Sequence, residues 1–452
     1  MRARHVGLGL LAVLLIGIVL FVAYAWRSAL PPVDPPSPTT FDRALLVRGA
    51  QLAALGNCYE CHTADGAPAY AGGRALKTPF GTLYGTNITP DPQTGIGRWS
   101  QAAFVRAMRE GVDREGRHLY PAFPYDHFTL MPDDDLSALY AYLMSRNPVA
   151  AETPRNELPF PLNIRMLLAG WKLLFHENRR FEPDPAQSAE WNRGAYLVHG
   201  PSHCGACHTP RNFLGAEKKD EFLAGGAAQG WNGPALNAAS PAPIPWTAEA
   251  LYRYLATGAD AHHSVAAGPM APVVGNLAAA PESDVRAIAA YVAAVAGPPS
   301  PERQRRAQEV LARVQRDQSL YASVQGVVHR SSSASAAGGS ASGGAAIYDG
   351  ACGLCHDSGR QTPSSADALH LALSTSVHLS TPRNLVHIIL DGIMPREGEH
   401  GPWMPAFGAV LTDDRQLVDL VVYLRERFGP GTAWENAREE IARLREERGR
   451  EE

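Results

Sequence analysis

Three copies of the pattern Cys-x-x-Cys-His constrain this 452-residue chain more than any other feature of its sequence. They read CYECH, CGACH and CGLCH, and their first cysteines, Cys58, Cys204 and Cys352, are separated by 146 and 148 residues. All six cysteines of the chain belong to these copies, so none is left over. A long, regular period of this kind predicts repeats of one small domain.

The segments on either side of the motif repeat as well. RGAQL and RGAYL stand about ten residues ahead of the first two motifs, and GAAIY takes that place before the third. Each repeat closes with an apolar segment that opens on acidic residues: DDDLSALYAYL, ESDVRAIAAYV and DDRQLVDLVVYL. Acidic residues favour a helix N-terminus because they complement the helix dipole. The sequence therefore predicts a mainly α-helical protein with three tandem domains.

The histidine after each second cysteine distinguishes among the uses of paired cysteines. Two thiols at this spacing can add to the vinyl groups of one haem, and the adjacent histidine then becomes the proximal iron ligand. A zinc ribbon or a disulfide does not require that histidine three times. We therefore expect three covalently bound haem c groups. The attachment residues are Cys58, Cys61, Cys204, Cys207, Cys352 and Cys355, and the proximal ligands are His62, His208 and His356.

A methionine thioether usually closes the opposite face of an electron-transfer haem c. In the third domain Met404 lies in a Gly-Pro-Trp-Met-Pro loop ahead of the closing helix. The Pro-Ala-Phe that follows favours it over Met394. In the second domain Met270 is the sole methionine between His208 and the end of the domain. We therefore predict Met404 and Met270 as axial ligands.

The first domain offers three methionines. Met108 and Met144 are predicted to lie in helices and to pack in the core, whereas Met131 stands in a loop directly before the closing helix. We predict Met131 as the ligand. The choice among three leaves an alternative open, namely a peroxidase-like multihaem enzyme with an open haem in domain 1, or a haem-based gas sensor. A fully ligated set of haems would leave the other histidines, such as His127, at the surface or beside the sites.

The N-terminus predicts export. Arg2 and Arg4 precede an uncharged run at residues 6–25, which is long enough to span a bilayer with its N-terminus inside. Ala23-Tyr24-Ala25 also resembles a cleavage site, so a cleaved signal peptide is the alternative. Either way, the bulk of the chain is expected outside the cytoplasm. Its net charge of −4 gives no basic field, so no nucleic-acid partner is expected.

An apolar helix is predicted in the connector between the first two domains, at residues 164–175. We expect its apolar face to pack against its own domains, and the alternative is a surface element that docks on a partner or the membrane interface. The side chains predicted to share that face are Leu167, Leu168, Trp171, Leu174 and Phe175.

Linkers complete the predicted organisation. The tract SSSASAAGGSASGGAA has the composition of a flexible linker, a charged periodic helix is expected before it, and the charged C-terminus is expected to be solvated. The predicted segments are an N-terminal anchor or signal sequence at 1–27, cytochrome c domains at 40–147, 186–298 and 344–430, the connector at 148–185, the helix and Ser/Gly-rich linker at 299–343, and a C-terminal helix or tail at 431–452.

Longer motifs add a family resemblance that spans roughly residues 40–425. TPFGTLYGTNITPDPQTGIGRWS at 78–100, with HCGACHTPRNFLGAEK and GPMAPVV in the second domain, resembles membrane-associated three-haem cytochrome c subunits of bacterial periplasmic dehydrogenases. Members of this group serve quinoprotein alcohol dehydrogenases and flavin-dependent gluconate and sorbitol dehydrogenases. The connector ELPFPLNIRMLLAGWKLLF is similar to the branch that accompanies molybdenum hydroxylases.

The resemblance implies three class I cytochrome c domains and supports Met131 as an iron ligand. It implies an electron-transfer subunit of a respiratory chain with no catalytic site of its own. The implied partners are a catalytic quinoprotein, flavoprotein or molybdenum hydroxylase, a small third subunit, and ubiquinone or a terminal oxidase as acceptor. The implied location is the bacterial inner membrane, with the haem domains facing the periplasm.

Overall fold

The computed structural model describes residues 2–323, 341–356, 370–394 and 403–449. Within these ranges the chain is mainly helical, which confirms the predicted fold class. In chain order the helices are α1 (Arg2–Ala25), α2 (Arg43–Leu55), α3 (Cys58–His62), α4 (Gln101–Glu110), α5 (Tyr125–Phe128), α6 (Asp133–Met144), α7 (Leu168–Phe175), α8 (Ala189–His199), α9 (Gly205–His208), α10 (Ala248–Thr257), α11 (Met270–Leu277), α12 (Glu282–Ala296), α13 (Pro301–Ser323), α14 (Ala341–Ile347), α15 (Gly353–His356), α16 (Arg383–Asp391), α17 (Asp414–Phe428) and α18 (Ala437–Gly449).

The strands of the described residues form three short antiparallel hairpins. These are β1 (Ala75–Thr78) with β2 (Gly81–Tyr84), β3 (Gly226–Ala228) with β4 (Trp231–Gly233), and β5 (Ala259–Asp260) with β6 (Ser264–Val265). Short 3₁₀ turns occupy Pro38–Thr40, Arg165–Leu167, Lys219–Glu221, Leu371–Leu373 and Thr375–Val377, and a π-helical turn occupies Tyr348–Cys352.

The chain forms two compact units. Unit 1 comprises Met1–Ala206, Arg211–Glu217 and Ala279–Pro281, and unit 2 comprises Cys207–Pro210, Lys218–Ala278 and Glu282–Glu452. The first predicted domain lies in unit 1 and the third in unit 2, whereas the division passes through the second. At the N-terminus, His5–Ala25 of α1 is long and apolar enough to cross a bilayer; its residues at 5–20 are exposed, and Ala25 at its end is buried.

In the first and third repeats, the glycine ahead of the motif is required by the same close crossing of two helices. In the first, α2 crosses α6 so closely that a Cβ on Gly49 would lie 2.0 Å from the carbonyl oxygen of Ala138. In the third, a Cβ on Gly344 of α14 would lie 2.0 Å from the carbonyl oxygen of Asp419 on α17. Only glycine permits these crossings, so the repeated Gly-Ala sequence marks where the opening helix packs on the closing helix.

The C-terminal helix departs from the predicted solvated tail. Ile441 and Leu444 of α18 are fully buried in the apolar core of the third domain. On the polar side of the helix, Arg383 of α16 forms an ion pair with Glu447 at 2.9 Å. Two apolar residues one turn apart suffice to dock an otherwise charged helix, so α18 is part of the packed third domain.

The connector helix also differs from the prediction. The buried residues of α7 are Ala169 and Lys172, whereas Leu173 and Leu174, together with Leu167 just before it, are exposed. The physical reason lies at the end of α4, whose last carbonyls lack partners within the helix. The ammonium of Lys172 donates to the carbonyl oxygens of Glu110 and Gly111, which places this charged residue on the inner side of α7. Of the predicted apolar face, Leu167 and Leu174 are exposed, whereas Leu168, Trp171 and Phe175 are half-buried.

Candidate haem attachment sites

Each Cys-x-x-Cys-His motif lies on a short helical segment. The histidines end α3, α9 and α15, and the second cysteine of each motif lies inside the same helix. In the first motif both cysteines lie on α3, and residues three apart on a helix share a face, so their thiols lie on one side. In the other two motifs the first cysteine directly precedes the helix. The third motif leads into residues 357–369, which lie outside the described ranges.

The two proximal histidines predicted in the first and second motifs are oriented in the same way. Nδ1 of His62 lies 2.6 Å from the carbonyl oxygen of Thr86, and Nδ1 of His208 lies 2.7 Å from that of Pro234. A carbonyl oxygen can only accept, so Nδ1 donates and its partner fixes the tautomer. Nε2 is then left with a lone pair, which is the arrangement of a metal-ligating histidine.

Burial supports the same chemistry. Desolvation lowers the pKa of both His62 and His208, and the hydrogen bond to the backbone carbonyl opposes that effect only in part. The neutral imidazole that results is the form that binds a metal. Burial likewise raises the pKa of the Cys58 thiol to about 12, so an apolar environment surrounds that attachment residue.

In each case the carbonyl oxygen that accepts from Nδ1 belongs to a residue that follows a hairpin. A Cβ on Gly85, which precedes Thr86, would lie 1.7 Å from the carbonyl oxygen of Cys61. A Cβ on Gly233, which precedes Pro234, would lie 2.2 Å from the carbonyl oxygen of Cys207. The chain after β2 and at the end of β4 therefore passes directly against the motif, and only glycine fits there. We call this arrangement, a glycine against the motif followed by a carbonyl oxygen that accepts from Nδ1, the cradle. Its two copies orient a histidine beside each pair of attachment cysteines, as covalently attached haem c requires.

The methionine candidates of the first domain all lie in one apolar cluster. Met108, Met131 and Met144 are buried there, and Cys58 packs against the same cluster. Met108 and Met144 lie within α4 and α6, whereas Met131 lies in the loop between α5 and α6. Arg109 donates a hydrogen bond to the carbonyl oxygen of Met131 at 3.0 Å, which holds this loop. Burial and membership of this cluster do not separate the three methionines, but the loop position favours Met131.

Of the other two predicted methionines, one lies at the start of a helix and the other lies outside the helices. Met270 is the first residue of α11 and is half-buried. Met404 exchanges two backbone hydrogen bonds with Ile393, at 2.8 and 2.9 Å, and is half-buried. Met394, the competing candidate, is 65% exposed.

A buried charged pair that sequence reasoning missed lies beside the first two motifs. His127 is buried, its Nδ1 lies 2.7 Å from the carbonyl oxygen of His199, and its Nε2 lies 2.8 Å from a carboxylate oxygen of Glu217. Both partners accept, so both ring nitrogens donate and the imidazole is charged. His203 packs edge-on against His127 and hydrogen-bonds the carbonyl oxygen of Gly56 at 3.2 Å. The pair therefore lies close to the segments that lead into both motifs.

The pKa of His127 follows from this environment. Burial alone would lower it, but the hydrogen bond to Glu217 and the negative charges of Asp126 and Glu217 raise it to about 9. Burial and the charge of His127 lower the pKa of His203 to about 4. One histidine of this group is therefore charged and the other neutral at neutral pH.

The pair predicts a pH dependence of stability. A histidine whose folded pKa is raised stabilises the fold fully below its unfolded pKa near 6.5, and this stabilisation is lost as the pH rises through about 9. We expect the free energy of unfolding to fall by on the order of 2–3 kcal/mol over that range. His127→Gln should remove this dependence, measured by urea unfolding of the holoprotein at pH 6 and 9.5. His262→Gln, at an exposed histidine, should keep it; an unchanged slope in His127→Gln would contradict the assignment.

Comparisons with known proteins match two parts of the chain to families of c-type cytochromes. Residues 46–147 match the family described as cytochrome c, and residues 339–424 match cytochrome c oxidase, cbb3-type, subunit III. The chain is 36% identical over 409 residues to the fructose dehydrogenase cytochrome subunit of Gluconobacter japonicus, covering 88% of this chain and 82% of that one. It is 32% identical over 418 residues to the gluconate 2-dehydrogenase cytochrome c subunit of Pantoea cypripedii, covering 89% and 90%.

A further relative is longer than this chain. A subunit of the nicotinate dehydrogenase of Pseudomonas putida is 46% identical over 429 residues, which cover 94% of this chain and 34% of that relative. The chain thus spans about a third of that relative's length. The relatives named as cytochrome subunits confirm the predicted electron-transfer role. The chain belongs to the cytochrome c subunits of dehydrogenase complexes, in which it transfers electrons through covalently bound haem c to or from a catalytic dehydrogenase partner and is not itself the catalytic component.

Proposed function

We propose that the chain carries three haem c groups and relays electrons from a periplasmic dehydrogenase subunit to membrane quinone or a terminal oxidase. The observation that carries the proposal is the repeated cradle, in which a glycine-led carbonyl holds Nδ1 of His62 and again of His208. The third motif supports the count of three because it repeats the sequence, and because Gly344 on α14 repeats the helix crossing of Gly49 on α2.

Each residue of the sites has a role in this proposal. The haem, when bound, supplies a one-electron change at its iron, and the chain attaches it, orients its ligands and excludes water. Thioether ligation and a buried environment both raise the potential. The attachment residues are Cys58, Cys61, Cys204, Cys207, Cys352 and Cys355, and the axial pairs are His62 with Met131, His208 with Met270, and His356 with Met404.

The relatives suggest the class of catalytic partner. Similarity to cytochrome subunits of fructose and gluconate dehydrogenases supports a dehydrogenase that donates electrons to this chain. A small third subunit is a further proposed partner. The 46% identity to the nicotinate dehydrogenase relative is higher than the 36% and 32% to those subunits. It favours a molybdenum hydroxylase that oxidises an N-heterocycle over a quinoprotein or flavoprotein.

The anchor completes the proposal. The apolar stretch His5–Ala25 of α1 has the length of a bilayer span, and basic residues precede it. In the proposal α1 stays uncleaved in the inner membrane and holds the haem domains at its periplasmic face. This brings the haems within reach of a membrane quinone.

Purification of the native complex from membranes, with an affinity tag on this chain, tests the proposed relay. The catalytic subunit that co-purifies is identified by mass spectrometry, and its substrate is added without oxygen. We expect the haem absorbance to become that of the reduced form and to be reoxidised by a water-soluble ubiquinone analogue. The same chain prepared without the catalytic subunit should stay oxidised. A complex that turns over with an artificial dye while its haems stay oxidised would contradict the proposal.

A further inference from the structure

The connector exposes several large apolar side chains. Phe160 is 80% exposed, and Leu173 and Leu174 are 67% and 68% exposed. Soluble proteins rarely leave contiguous apolar patches of this kind uncovered. The set that we call the connector surface consists of Phe160, Leu162, Ile164, Leu167, Leu173 and Leu174.

The polarity of this segment is reversed relative to a water-facing helix. Its two charged residues between 158 and 175 both point into unit 1. Arg165 donates to the carbonyl oxygen of His118 at 3.1 Å, and the ammonium of Lys172 donates to the carbonyl oxygens of Glu110 and Gly111 at 2.6 and 2.5 Å. A surface helix in water places its charges outward and its apolar residues inward. This arrangement suits an apolar medium outside.

The connector surface is continuous with α1. Ile164 and Leu167 line an apolar groove of about 600 Å³ together with Ile18 and Phe21 of α1. A Cβ on Gly170 would lie 3.6 Å from the ring of Phe21, so α7 and α1 lie side by side there. The end of α1 is also fixed, since Nε2 of His118 lies 2.8 Å from the carbonyl oxygen of Ala25.

The depth of this contact can be read from the helix itself. With a rise of 1.5 Å per residue, Phe21 and Ile18 lie about 6 and 10 Å along the axis from Ala25, where the apolar stretch ends. An amphipathic helix in a membrane interface typically lies about 5–10 Å into the boundary between headgroups and acyl chains. Ile164 and Leu167 therefore lie at the depth of an interfacial helix.

We propose that the connector surface is a second membrane contact, in which α7 and the segment before it lie in the interfacial region of the bilayer beside α1. The proposal rests on the proposed anchoring by α1. The occupant is lipid, because an anchored α1 is surrounded by acyl chains except where Ile164 and Leu167 cover it. The connector surface lies at the same depth and therefore faces the same lipid. Two contacts fix the tilt of unit 1 against the membrane plane, which one helix alone does not.

Photolabelling from the lipid phase tests this contact. The full-length holoprotein is reconstituted into phosphatidylcholine–phosphatidylglycerol vesicles that contain a lipid with a photoactivatable diazirine in its acyl chain, and adducts are mapped by peptide mass spectrometry. We expect adducts on α1 and on residues 160–175. Val410, an apolar residue of unit 2 that is 72% exposed, serves as the internal control and should stay unlabelled.

A matched pair of variants makes the test specific. The double variant Leu173→Gln/Leu174→Gln changes exposed side chains, so it should keep the haem spectrum while labelling of 160–175 falls at least five-fold. Val410→Gln should leave the labelling unchanged. Adducts on α1 without adducts on 160–175 would overturn the inference and leave the anchoring intact, whereas absence of both would overturn the anchoring too. Labelling in the isolated chain that disappears in the native complex would overturn the inference in favour of a protein partner.

Discussion

Replacing Cys58 and Cys61 together with serine is expected to lower the covalently bound haem from three groups per chain to two. Serine hydroxyls do not form the thioether bonds that hold the group, and the other two motifs are separate in sequence. Haem is quantified per chain by the pyridine haemochrome spectrum after denaturation, which retains only covalently bound groups. This is the largest single change that the proposed sites predict, because it removes one relay centre completely.

Glu60→Gln is the matched control, since Glu60 lies between the two cysteines and the substitution keeps both thiols and His62. It should retain three haems. Peptide mapping of the unmodified chain gives a second readout that does not depend on the variant folding. Each of the three motif peptides should be heavier by one haem. A wild-type chain with two such peptides would contradict the count of three, and the unmodified peptide would identify the motif that carries no haem.

The sequence predicted those parts of the fold that local patterns determine. The three motifs and the acid-led closing helices α6, α12 and α17 follow from residues within about fifteen positions of one another. The charged helix predicted before the linker is present as α13. The predicted core positions of Met108 and Met144 are confirmed, because helical spacing places them against the apolar cluster of the first domain.

The parts that were missed depend on partners far away in the chain or on backbone atoms. His127 was predicted at the surface or beside a site; it lies beside the first two motifs, but no local pattern indicates that it is buried against Glu217, 90 residues later. Lys172 lies on the inner side of α7 because its ammonium binds carbonyl oxygens 61 and 62 residues earlier. The carbonyl acceptors at Thr86 and Pro234 are backbone atoms, so no residue type marks them in the sequence. The glycine before each is the one sequence feature that could have indicated them.

Met131→Leu is expected to remove the thioether ligand of one haem without loss of attachment. Leucine is close to methionine in volume and has no sulfur, so the fold should lose less than about 1.5 kcal/mol while the iron loses a ligand. The weak long-wavelength absorbance of ferric methionine-ligated haem should fall by about one third if three such haems are present. The potential of that haem should fall by about 0.1 V or more, within the range of roughly 0.8 V that axial ligands span.

Met108→Leu and Met144→Leu are unusually close controls, because these methionines are buried in the same cluster as Met131 and belong to the same domain. Both should keep the full absorbance and an unchanged potential. If Met108→Leu lost one third of the band instead, the ligand would be on α4 and the loop assignment would be wrong. The comparison separates ligation from packing, since all three substitutions change the same cluster by the same chemical difference.

Carbon monoxide distinguishes an electron-transfer haem in the first domain from an open one. If Met131 is the sixth ligand, as proposed, the reduced wild-type protein should not bind it, whereas reduced Met131→Leu should bind one equivalent per chain. Binding by the wild type, with no change in Met131→Leu, would identify an open haem in the first domain, as a peroxidase-like enzyme or gas sensor needs. The structure argues against easy displacement, because Met131 is 1% exposed and Arg109 holds its carbonyl oxygen at 3.0 Å. Carbon monoxide would therefore have to displace a thioether whose side chain is packed in the core and whose backbone is held by Arg109.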